Sequence, residues 1–536
     1  MKKLPIGYQN FKQIIEESFV YVDKTKAIYT LLDKGSLYFL SRPRRFGKSL
    51  LLSTLHQLFN GNKELFKGLY IYEKTSYDFA SYPVLHFNFA DYGHQVKNLE
   101  QALHNQLDIY AKEFKIKISY ENLSEKFTYL IQQIAQQGKR VVILIDEYDK
   151  PIIDFLTDIE QAKQHQVILR RFFAPLKGME AKGHLRFLFL TGVSKFSRVS
   201  LFSDLNNLID LTISINAHDL VGITQTELEH NFSAHIQNAA LRLEMTKEKV
   251  LEGVKLWYNG YSFEGSTRLY NPFSLLNFFD QATFNNFWFS TGTPTFLVNT
   301  IRDQYIAPQE LESVEVTLAF FERFSLEHLD IKVLLHQTGY LTIRKVHRDG
   351  FTKSYELSYP NEEVRRSFVH SLLEAFTWQP VSTIGSALIK MERGLQQGEV
   401  STFITQLKVL FSDIAYHLLP KKRNRFNENN EVENFKAWEG YFHTVIYLIT
   451  SFLGLQVQSE IAKHKGRLDL IAQTKNFLYL MEFKLDEPAK NAIEQIKNRE
   501  YAAAYEQSDK TVILVGINFS KVVRNVESWE SEVWLS

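Results

Sequence analysis

The 536-residue chain contains no cysteine, carries a formal net charge of only +1, and lacks a long uninterrupted apolar run. The lack of cysteine excludes disulfide bonds and thiolate metal sites, and it fits a reducing compartment. The small net charge excludes a global basic field, so any contact with nucleic acid must come from local patches. The longest apolar segment, 442–455, is broken by His443 and Thr444 and is too short to span a bilayer.

The N-terminus has two lysines but no apolar stretch behind them, so we expect no signal peptide and a cytoplasmic protein. A chain of this length is too long for one hydrophobic core and predicts about three domains. The composition places them at 1–218 (α/β), 219–418 (helical) and 435–536 (compact α/β). The polar stretch 420–434 between the last two is interpreted as a linker. Two interpretations are open for its basic cluster, a contact with phosphates or a solvated linker, and the solvated linker is favoured. The cluster consists of Lys421, Lys422, Arg423 and Arg425.

The first domain alternates short apolar runs with amphipathic helical patterns. The runs are 36–41, 83–91, 140–149 and 184–194, and the helical patterns between them include 48–61 and 98–114. Near-continuous hydrophobicity is typical of strands that are buried on both faces of a parallel sheet. The alternation therefore predicts a doubly wound α/β fold with helices on both faces of the sheet.

A phosphate-binding loop is indicated by SRPRRFGKSLL, which lies between the first strand and the first long helix. In such a loop, backbone N–H groups and a helix N-terminus converge on the phosphates, the lysine reaches the β and γ oxygens, and the hydroxyl holds Mg²⁺. The residues predicted to bind the nucleotide here are Arg45, Phe46, Gly47, Lys48 and Ser49, with Ser49 also a metal ligand.

Arg42 stands where such a loop has its first glycine. That glycine mainly permits a tight turn, so its loss changes the shape of the loop but removes neither the lysine nor the hydroxyl. Arg42, Arg44 and Arg45 would also add positive charge near the phosphates. A divergent nucleotide site is therefore favoured over a chance GKS sequence on a basic turn.

Carboxylates suited to ATP hydrolysis follow the third apolar run. Asp146 would hold Mg²⁺ through water, and Glu147 would act as general base toward the attacking water. The alternative is that acidic residues often end buried strands. Because one more strand lies between the two motifs in the sequence, we expect the P-loop class with an inserted strand and a glutamate base. Thr191, at the end of the fourth run, is placed to sense the γ-phosphate.

Two further positions near the nucleotide are less sharply defined by the sequence. Arg198 is either an arginine finger, which would require a homo-oligomer if it acts in trans, or a surface arginine. Asp23 and Lys24 are placed near the nucleotide.

A second site is indicated by two alternating runs, RLDLIAQ and FLYLMEFKL, separated by Lys475-Asn476. A two-residue hairpin turn there would put Asp469 opposite Glu482, with Cβ atoms about 5 Å apart. Two such carboxylates suit Mg²⁺. Lys484 shares their face and can orient water or steady developing phosphorane charge. The alternative is a surface charge pair on an ordinary hairpin.

Two residues outside the hairpin are candidate accessories to this second site. Glu439 lies on the preceding helical pattern and would add a metal carboxylate, and Gln495 lies on the following one and would point at the site. For each, a purely structural role is an equal alternative.

With both constellations in view, the chain resembles the prokaryotic AAA-ATPase-like proteins that carry a C-terminal PD-(D/E)XK nuclease superfamily domain. The resemblance rests on YVDKT, SRPRRFGKSLL, LIDEYDKP, YNPFSLLNF, YPNEEVRRSF, GRLDL and EFKL. It covers nearly the whole chain. The run RPRRFGKS, with Arg42 in place of the glycine, is itself typical of the family. It implies ATP binding by Lys48, Ser49 and Asp146, and a restriction-endonuclease-like core around Asp469, Glu482 and Lys484.

Three functions are compatible with these motifs. The first is an ATP-regulated, Mg²⁺-dependent nuclease acting on DNA or RNA. The second is an ATP-switched interaction module whose nuclease fold binds nucleic acid or a partner without cutting. The third is a nuclease joined to an inactive nucleotide sensor, against which the intact Asp146-Glu147 pair argues.

Overall fold

The computed structural model describes residues 1–92, 98–195, 207–289, 295–304, 306–322, 330–350, 352–414, 430–463 and 466–534. Two compact units make up the chain, the first formed by 1–292 with 314–364 and the second by 293–313 with 365–536. Arg198 and the basic residues predicted for the linker lie outside the described residues. The three-domain boundaries stay a prediction.

The first unit is built around a sheet of five parallel strands. They are β1 (Leu37–Ser41), β2 (Val84–Asn88), β3 (Val141–Asp146), β4 (Leu185–Gly192) and β5 (Ile209–Asp210). Their order is β2-β3-β4-β1-β5, and every neighbouring pair is parallel. All residues of β1 and β3 are buried, as the unbroken apolar runs predict. The four predicted strands and the α/β class are confirmed.

The strand order decides where the two nucleotide motifs meet. Strand β4 lies between β1 and β3, so it is the strand inserted in space between the two motif strands. Because all five strands run in parallel, the residues that follow β1, β3 and β4 lie at the same edge of the sheet.

Helices surround this sheet and continue into a helical group. In chain order they are α1 (Phe11–Glu16), α2 (Thr25–Lys34), α3 (Lys48–Phe59), α4 (Tyr70–Glu73), α5 (Leu99–Glu113), α6 (Leu123–Gln136), α7 (Lys150–Ile153), α8 (Ile159–Phe173), α9 (Pro175–Ala181), α10 (Gln225–Asn231), α11 (Ser233–Arg242), α12 (Lys247–Tyr258) and α13 (Pro272–Gln281). The start of α13 follows from its sequence: Asn271 caps it by accepting bonds from the N–H groups of Phe273 and Ser274, and Pro272 occupies its first position. Helices α10 to α13 share one apolar core.

The middle of the chain is helical, as predicted, but it also contains a small sheet that the prediction missed. Next in the chain come α14 (Thr295–Asp303), β6 (Val314–Thr317), α15 (Ile331–Thr338), β7 (Thr342–Asp349), β8 (Thr352–Ser358) and α16 (Glu362–Thr377). The three strands form an antiparallel sheet in the order β6-β8-β7. The sequence does carry a signal for it, because Asp349-Gly350 between two alternating runs is a hairpin turn pattern.

The second unit packs helices against a mixed sheet. Its remaining elements are α17 (Val381–Gln397), α18 (Val400–Ser412), α19 (Asn430–Phe452), β9 (Gln456–Lys463), β10 (Gly466–Gln473), β11 (Phe477–Leu485), α20 (Ala489–Asn498), β12 (Thr511–Ser520) and β13 (Asn525–Val533). The strand order is β13-β12-β11-β10-β9, in which only β11 and β12 are parallel. This is the predicted compact α/β arrangement of the C-terminal region.

The hairpin between β10 and β11 has the predicted register. The recorded pairs run from Leu470 opposite Met481 to Gln473 opposite Leu478. The N–H of Thr474 donates to the carbonyl of Phe477 at 2.9 Å, which closes a two-residue turn at 475–476. The pairing ends at Leu470 and Met481, so the placement of Asp469 directly opposite Glu482 stays a prediction. The two-residue turn and the register of the hairpin are confirmed.

No helix in the part of the chain that the structure describes is long and apolar enough to cross a membrane.

Gly260→Ala should destabilise the first unit strongly. Gly260 has φ of +110°, and an added Cβ would lie 1.9 Å from the carbonyl oxygen of Pro360. Backbone strain and overpacking together should lower the free energy of unfolding by about 3 kcal/mol. Thermal unfolding followed by circular dichroism measures the effect. Gly178→Ala in α9 is the matched control, because a Cβ there meets no atom within 4 Å and alanine favours the helix. Equal melting temperatures for the two variants would contradict this account.

Candidate functional site

A cavity of about 380 Å³ opens at the sheet edge where β1, β3 and β4 end. One wall comes from the loop after β1 and contributes Arg44, Arg45, Gly47, Lys48 and Ser49. The carboxylates of Glu147 and Asp149, which follow β3, form the second wall. The cavity therefore brings the two predicted nucleotide motifs together.

The loop between β1 and α3 encloses the Lys48 ammonium. Gly47 has φ of +94° and precedes the first residue of α3, so the helix N-terminus is presented at the cavity. Lys48 Nζ donates to the carbonyl oxygens of Arg42 and Pro43, each at 2.9 Å. Burial lowers the pKa of Lys48, whereas the nearby Asp146 and Glu147 raise it. The ammonium is thus held inside a loop with anionic groups close by.

Arg42 plays a structural part that the sequence did not suggest. Its guanidinium is buried and donates to the carbonyl oxygens of Ser41 at 2.8 Å, Thr212 at 2.7 Å and Ala217 at 3.4 Å. It also lies 3.9 Å from the ring centre of Phe263. The expectation that Arg42 adds charge facing the phosphates is therefore wrong, since its charge is used beneath the loop.

Other members of the predicted loop divide between the cavity and the core. Arg44 and Arg45 are exposed and line the cavity, and Arg45 adopts a φ of +65°. The Phe46 side chain is fully buried against Tyr261 and Phe263, so only its backbone is available to a ligand. The nucleotide-binding roles of these residues stay predictions.

The acidic pair after β3 has two different environments. Asp146 is buried, and its Oδ1 accepts from Thr191 Oγ1 at 2.6 Å and from the N–H of Glu147 at 3.0 Å. Thr191 thus holds Asp146 and is not among the residues that line the cavity. Glu147 does line it and has φ of +49°, a left-handed conformation that is strained for a glutamate. Burial, followed by the charge of Asp146, raises the pKa of Glu147.

Asp149 is a cavity residue that the sequence reasoning missed. Its Oδ2 accepts from the N–H groups of Val193 at 3.0 Å and Ser194 at 2.6 Å, and from the Ser194 hydroxyl at 2.7 Å. These bonds tie the end of β3 to the end of β4. Gly192 is required beside them because a Cβ there would lie 2.6 Å from Asp149 Oδ1. The signal was the third acidic residue of DEYD.

A third wall of the cavity is apolar and was also missed. It consists of the N-terminal turn with Pro5 and Tyr8, and the start of α13 with Phe273 and Leu276. Arg45 lies over the Phe273 ring at 4.7 Å. An apolar wall in the same cavity as a phosphate-binding loop suits a nucleobase.

Asp23 and Lys24, which the sequence placed near the nucleotide, are not among the cavity residues. Lys24 Nζ pairs with Glu227 at 2.7 Å, and Asp23 accepts from the N–H groups of Thr25 and Tyr70. Both are used in packing within the first unit.

The second candidate site lies on the β10–β11 hairpin. The Asp469 carboxylate accepts from the N–H of Phe483 at 2.8 Å, and Lys484 Nζ lies 3.6 Å from Glu482 Oε1. Gln495 of α20 connects the last two: its amide oxygen accepts from Lys484 Nζ at 2.7 Å and its amide nitrogen donates to Glu482. The prediction that Gln495 points at the site is confirmed.

Glu482 fits a cation ligand on structural grounds. Its side chain is buried, and its Oε2 accepts no hydrogen bond from the residues that the structure describes. Burial and the neighbouring Asp469 raise the pKa of Glu482 to about 8, while Lys484 opposes the shift. A buried carboxylate with an unused oxygen, beside a second carboxylate, matches the oxygen ligands that Mg²⁺ takes. Asp469 and Glu482 would hold the ion.

Protein ligands for such an ion are few. Within the described ranges, no group of three or more histidine, aspartate or glutamate side chains is arranged to hold a metal. Mg²⁺ commonly keeps several waters and binds through one or two carboxylates with substrate phosphates, so two ligands are compatible with it.

Helix α19 contributes a residue that the sequence reasoning did not assign. His443 Nε2 lies 3.8 Å from Asp469 Oδ2, and its ring packs against Phe483 with centroids 4.7 Å apart. Glu439, the predicted accessory, lies one turn earlier on α19 and is half-buried. Its metal-binding role stays a prediction.

The first unit has the architecture of a P-loop ATPase, and the second has that of the restriction-endonuclease-like nucleases. Comparison with known proteins agrees: a family model described as "Predicted AAA-ATPase" matches residues 5–202, and a PD-(D/E)XK nuclease superfamily model matches 437–529. The chain is 37% identical over 530 residues to an "Uncharacterized protein in vnfD 5'region" of Azotobacter chroococcum mcd 1, covering 98% of each chain. The chain belongs to the AAA-ATPase-like family with a C-terminal PD-(D/E)XK nuclease superfamily domain.

Arg42→Ala should destabilise the first unit because three buried carbonyl oxygens lose a charged donor. We expect the free energy of unfolding to fall by about 3 kcal/mol. Arg44→Ala is the matched control, since Arg44 is an exposed neighbour and its loss should change stability by no more than about 0.5 kcal/mol. Denaturant unfolding of the two variants measures the difference. A stable Arg42→Ala protein with weakened phosphate binding would instead assign Arg42 to the ligand.

Proposed function

We propose that the first unit binds and hydrolyses ATP, that the second unit cleaves phosphodiester bonds of DNA or RNA with Mg²⁺, and that the nucleotide state controls cleavage. The observation that carries the proposal is the cavity, which brings Lys48, Ser49 and Glu147 together at one sheet edge. We also propose a cytoplasmic location, because ATP, Mg²⁺ and nucleic acid are all available there.

In the nucleotide site, Lys48 binds the β and γ oxygens and the α3 N-terminus contributes backbone N–H groups. Ser49 and Asp146 would hold Mg²⁺, which when bound neutralises charge that develops on the phosphates. Glu147 accepts a proton from the attacking water. Its raised pKa supports this role because a general base works best when its pKa approaches the ambient pH.

In the nuclease site, Asp469 and Glu482 would hold Mg²⁺, which when bound supplies Lewis-acid activation of the phosphodiester. Lys484 orients the attacking water and stabilises the negative charge that develops at phosphorus. Gln495 keeps Lys484 and Glu482 in contact through its two hydrogen bonds. These contacts make metal-assisted hydrolysis the reaction that the residues fit best.

Lys48→Ala and Glu147→Gln should separate nucleotide binding from hydrolysis. Lys48→Ala removes the phosphate-binding ammonium, so we expect both ATP affinity and turnover to fall at least about 100-fold. Glu147→Gln keeps the size of the side chain but not the base, so turnover should fall by a similar factor while ATP still binds. Isothermal titration calorimetry and phosphate release measure the two effects. Full turnover by Lys48→Ala would refute the assignment.

Lys484→Ala should abolish cleavage and leave ATP hydrolysis intact. Purified protein is incubated with Mg²⁺ and a panel of single- and double-stranded DNA and RNA, with and without ATP. Lys490→Ala is the matched control, because Lys490 is an exposed lysine of the same domain. Its Nζ lies 3.5 Å from Oε1 of Glu494, in an ion pair at the surface. Cleavage that Lys490→Ala retains and Lys484→Ala loses is the expected result.

The ATP comparison in the same assay tests regulation. If cleavage depends on nucleotide, Lys48→Ala should no longer respond to ATP. An absence of cleavage under all conditions, with ATP still hydrolysed, would contradict the nuclease and favour an ATP-switched module that binds without cutting.

A further inference from the structure

A buried carboxylate lies in the motif YPNEEVRRSF, which neither proposed reaction uses. Glu363 is the second residue of α16, and none of its surface is exposed to solvent. Burying a carboxylate is costly unless hydrogen bonds compensate. Its contacts therefore indicate what the residue is retained for.

One oxygen of Glu363 holds the helix that forms the apolar wall of the nucleotide cavity. The hydroxyl of Ser274 donates to Glu363 Oε2 at 2.7 Å. Ser274 is the third residue of α13, directly after Pro272 and Phe273, which line the cavity. A shift of the Glu363 carboxylate would therefore displace the start of α13 and the cavity wall that it forms.

The other oxygen leads to the phosphate loop. The backbone N–H of Trp288 donates to Glu363 Oε1 at 2.7 Å. The indole Nε1 of the same tryptophan donates to the carbonyl oxygen of Arg44 at 3.1 Å. Arg44 lies in the loop after β1 and lines the cavity. A chain of two hydrogen bonds therefore joins Glu363 to the loop.

We propose that Glu363 is a positioning residue for the nucleotide, because its single carboxylate fixes the base-facing wall through Ser274 and the phosphate loop through Trp288. This inference rests on the proposed ATP site. A carboxylate suits the position because both of its oxygens accept, whereas a glutamine would turn one N–H-bearing end toward a donor. Glu363 acts through other residues and does not touch the nucleotide.

The test compares Glu363→Ala and Glu363→Gln with wild type in ATP binding and turnover. We expect KM for ATP to rise roughly tenfold in Glu363→Ala, with a smaller change in kcat, since loss of a buried hydrogen-bond acceptor loosens the two walls that bind the nucleotide. The KM of Glu363→Gln for ATP should lie between those of the wild type and Glu363→Ala. Thr342→Val is the matched control, because Thr342 is also a buried hydrogen-bonding residue of the first unit, bonded to Ser262.

A purely structural role for Glu363 predicts a different pattern. It would lower the melting temperature of Glu363→Ala, as in Thr342→Val, and leave KM unchanged wherever the protein is folded; that result overturns the proposal. Should Glu363→Ala fail to fold, Glu363→Gln and Trp288→Phe decide, since Trp288→Phe removes the bond to Arg44 and keeps the backbone N–H that donates to Glu363.

The route through Trp288 has its own test. Trp288→Phe should raise KM, and adding Glu363→Gln to it should raise KM by less than the product of the two single effects. Strictly multiplicative effects would overturn the route. A wild-type protein that neither binds nor hydrolyses ATP would instead sink the proposed function itself, so the two failures are distinguishable.

Discussion

The structure of the first unit depends on the burial of a positive charge at the end of β1. Lys48 is removed from water almost completely, and such burial is tolerated only where hydrogen bonds and opposite charges compensate. Two loop carbonyl oxygens supply the hydrogen bonds, and Asp146 and Glu147 supply the charge. The parallel sheet is what delivers both, because it brings the ends of β1 and β3 to one edge with β4 between them. The cavity is therefore a consequence of the strand order together with the buried Lys48 ammonium.

The nuclease domain meets a related constraint with the opposite sign. Glu482 is a buried carboxylate beside another carboxylate, so its environment opposes ionisation, and Lys484 compensates only in part. A cation shared with Asp469 would relieve this repulsion. The negative charge of the two carboxylates is thus left for a ligand to neutralise, whereas neighbouring carboxylates of the fold compensate much of the positive charge of Lys48. This contrast is the physical reason for proposing a metal ion at the hairpin.

The periodicity of apolar residues and the residues typical of turns made the strands and helices predictable. Unbroken apolar runs located four strands, and alternation around Lys475-Asn476 predicted the register in which Leu470 pairs with Met481. Long-range contacts were not predictable in the same way. Nothing local indicates that Arg42 bonds the carbonyl oxygens of residues 170 or more positions away, or that the N-terminal turn and α13 line the same cavity. Those contacts depend on tertiary packing, which no periodicity reports.

Arg42 explains how the loop manages without the glycine that its position would suggest. A glycine permits a tight turn by having no side chain, but it contributes no donor. Arg42 places its side chain beneath the loop, where the guanidinium satisfies carbonyl oxygens of Ser41, Thr212 and Ala217, and its own carbonyl accepts from Lys48. The same residue thereby connects Lys48 to the segment after β5. At this position, hydrogen bonds from the arginine side chain fix the shape of the loop, where a glycine would have offered only a flexible backbone.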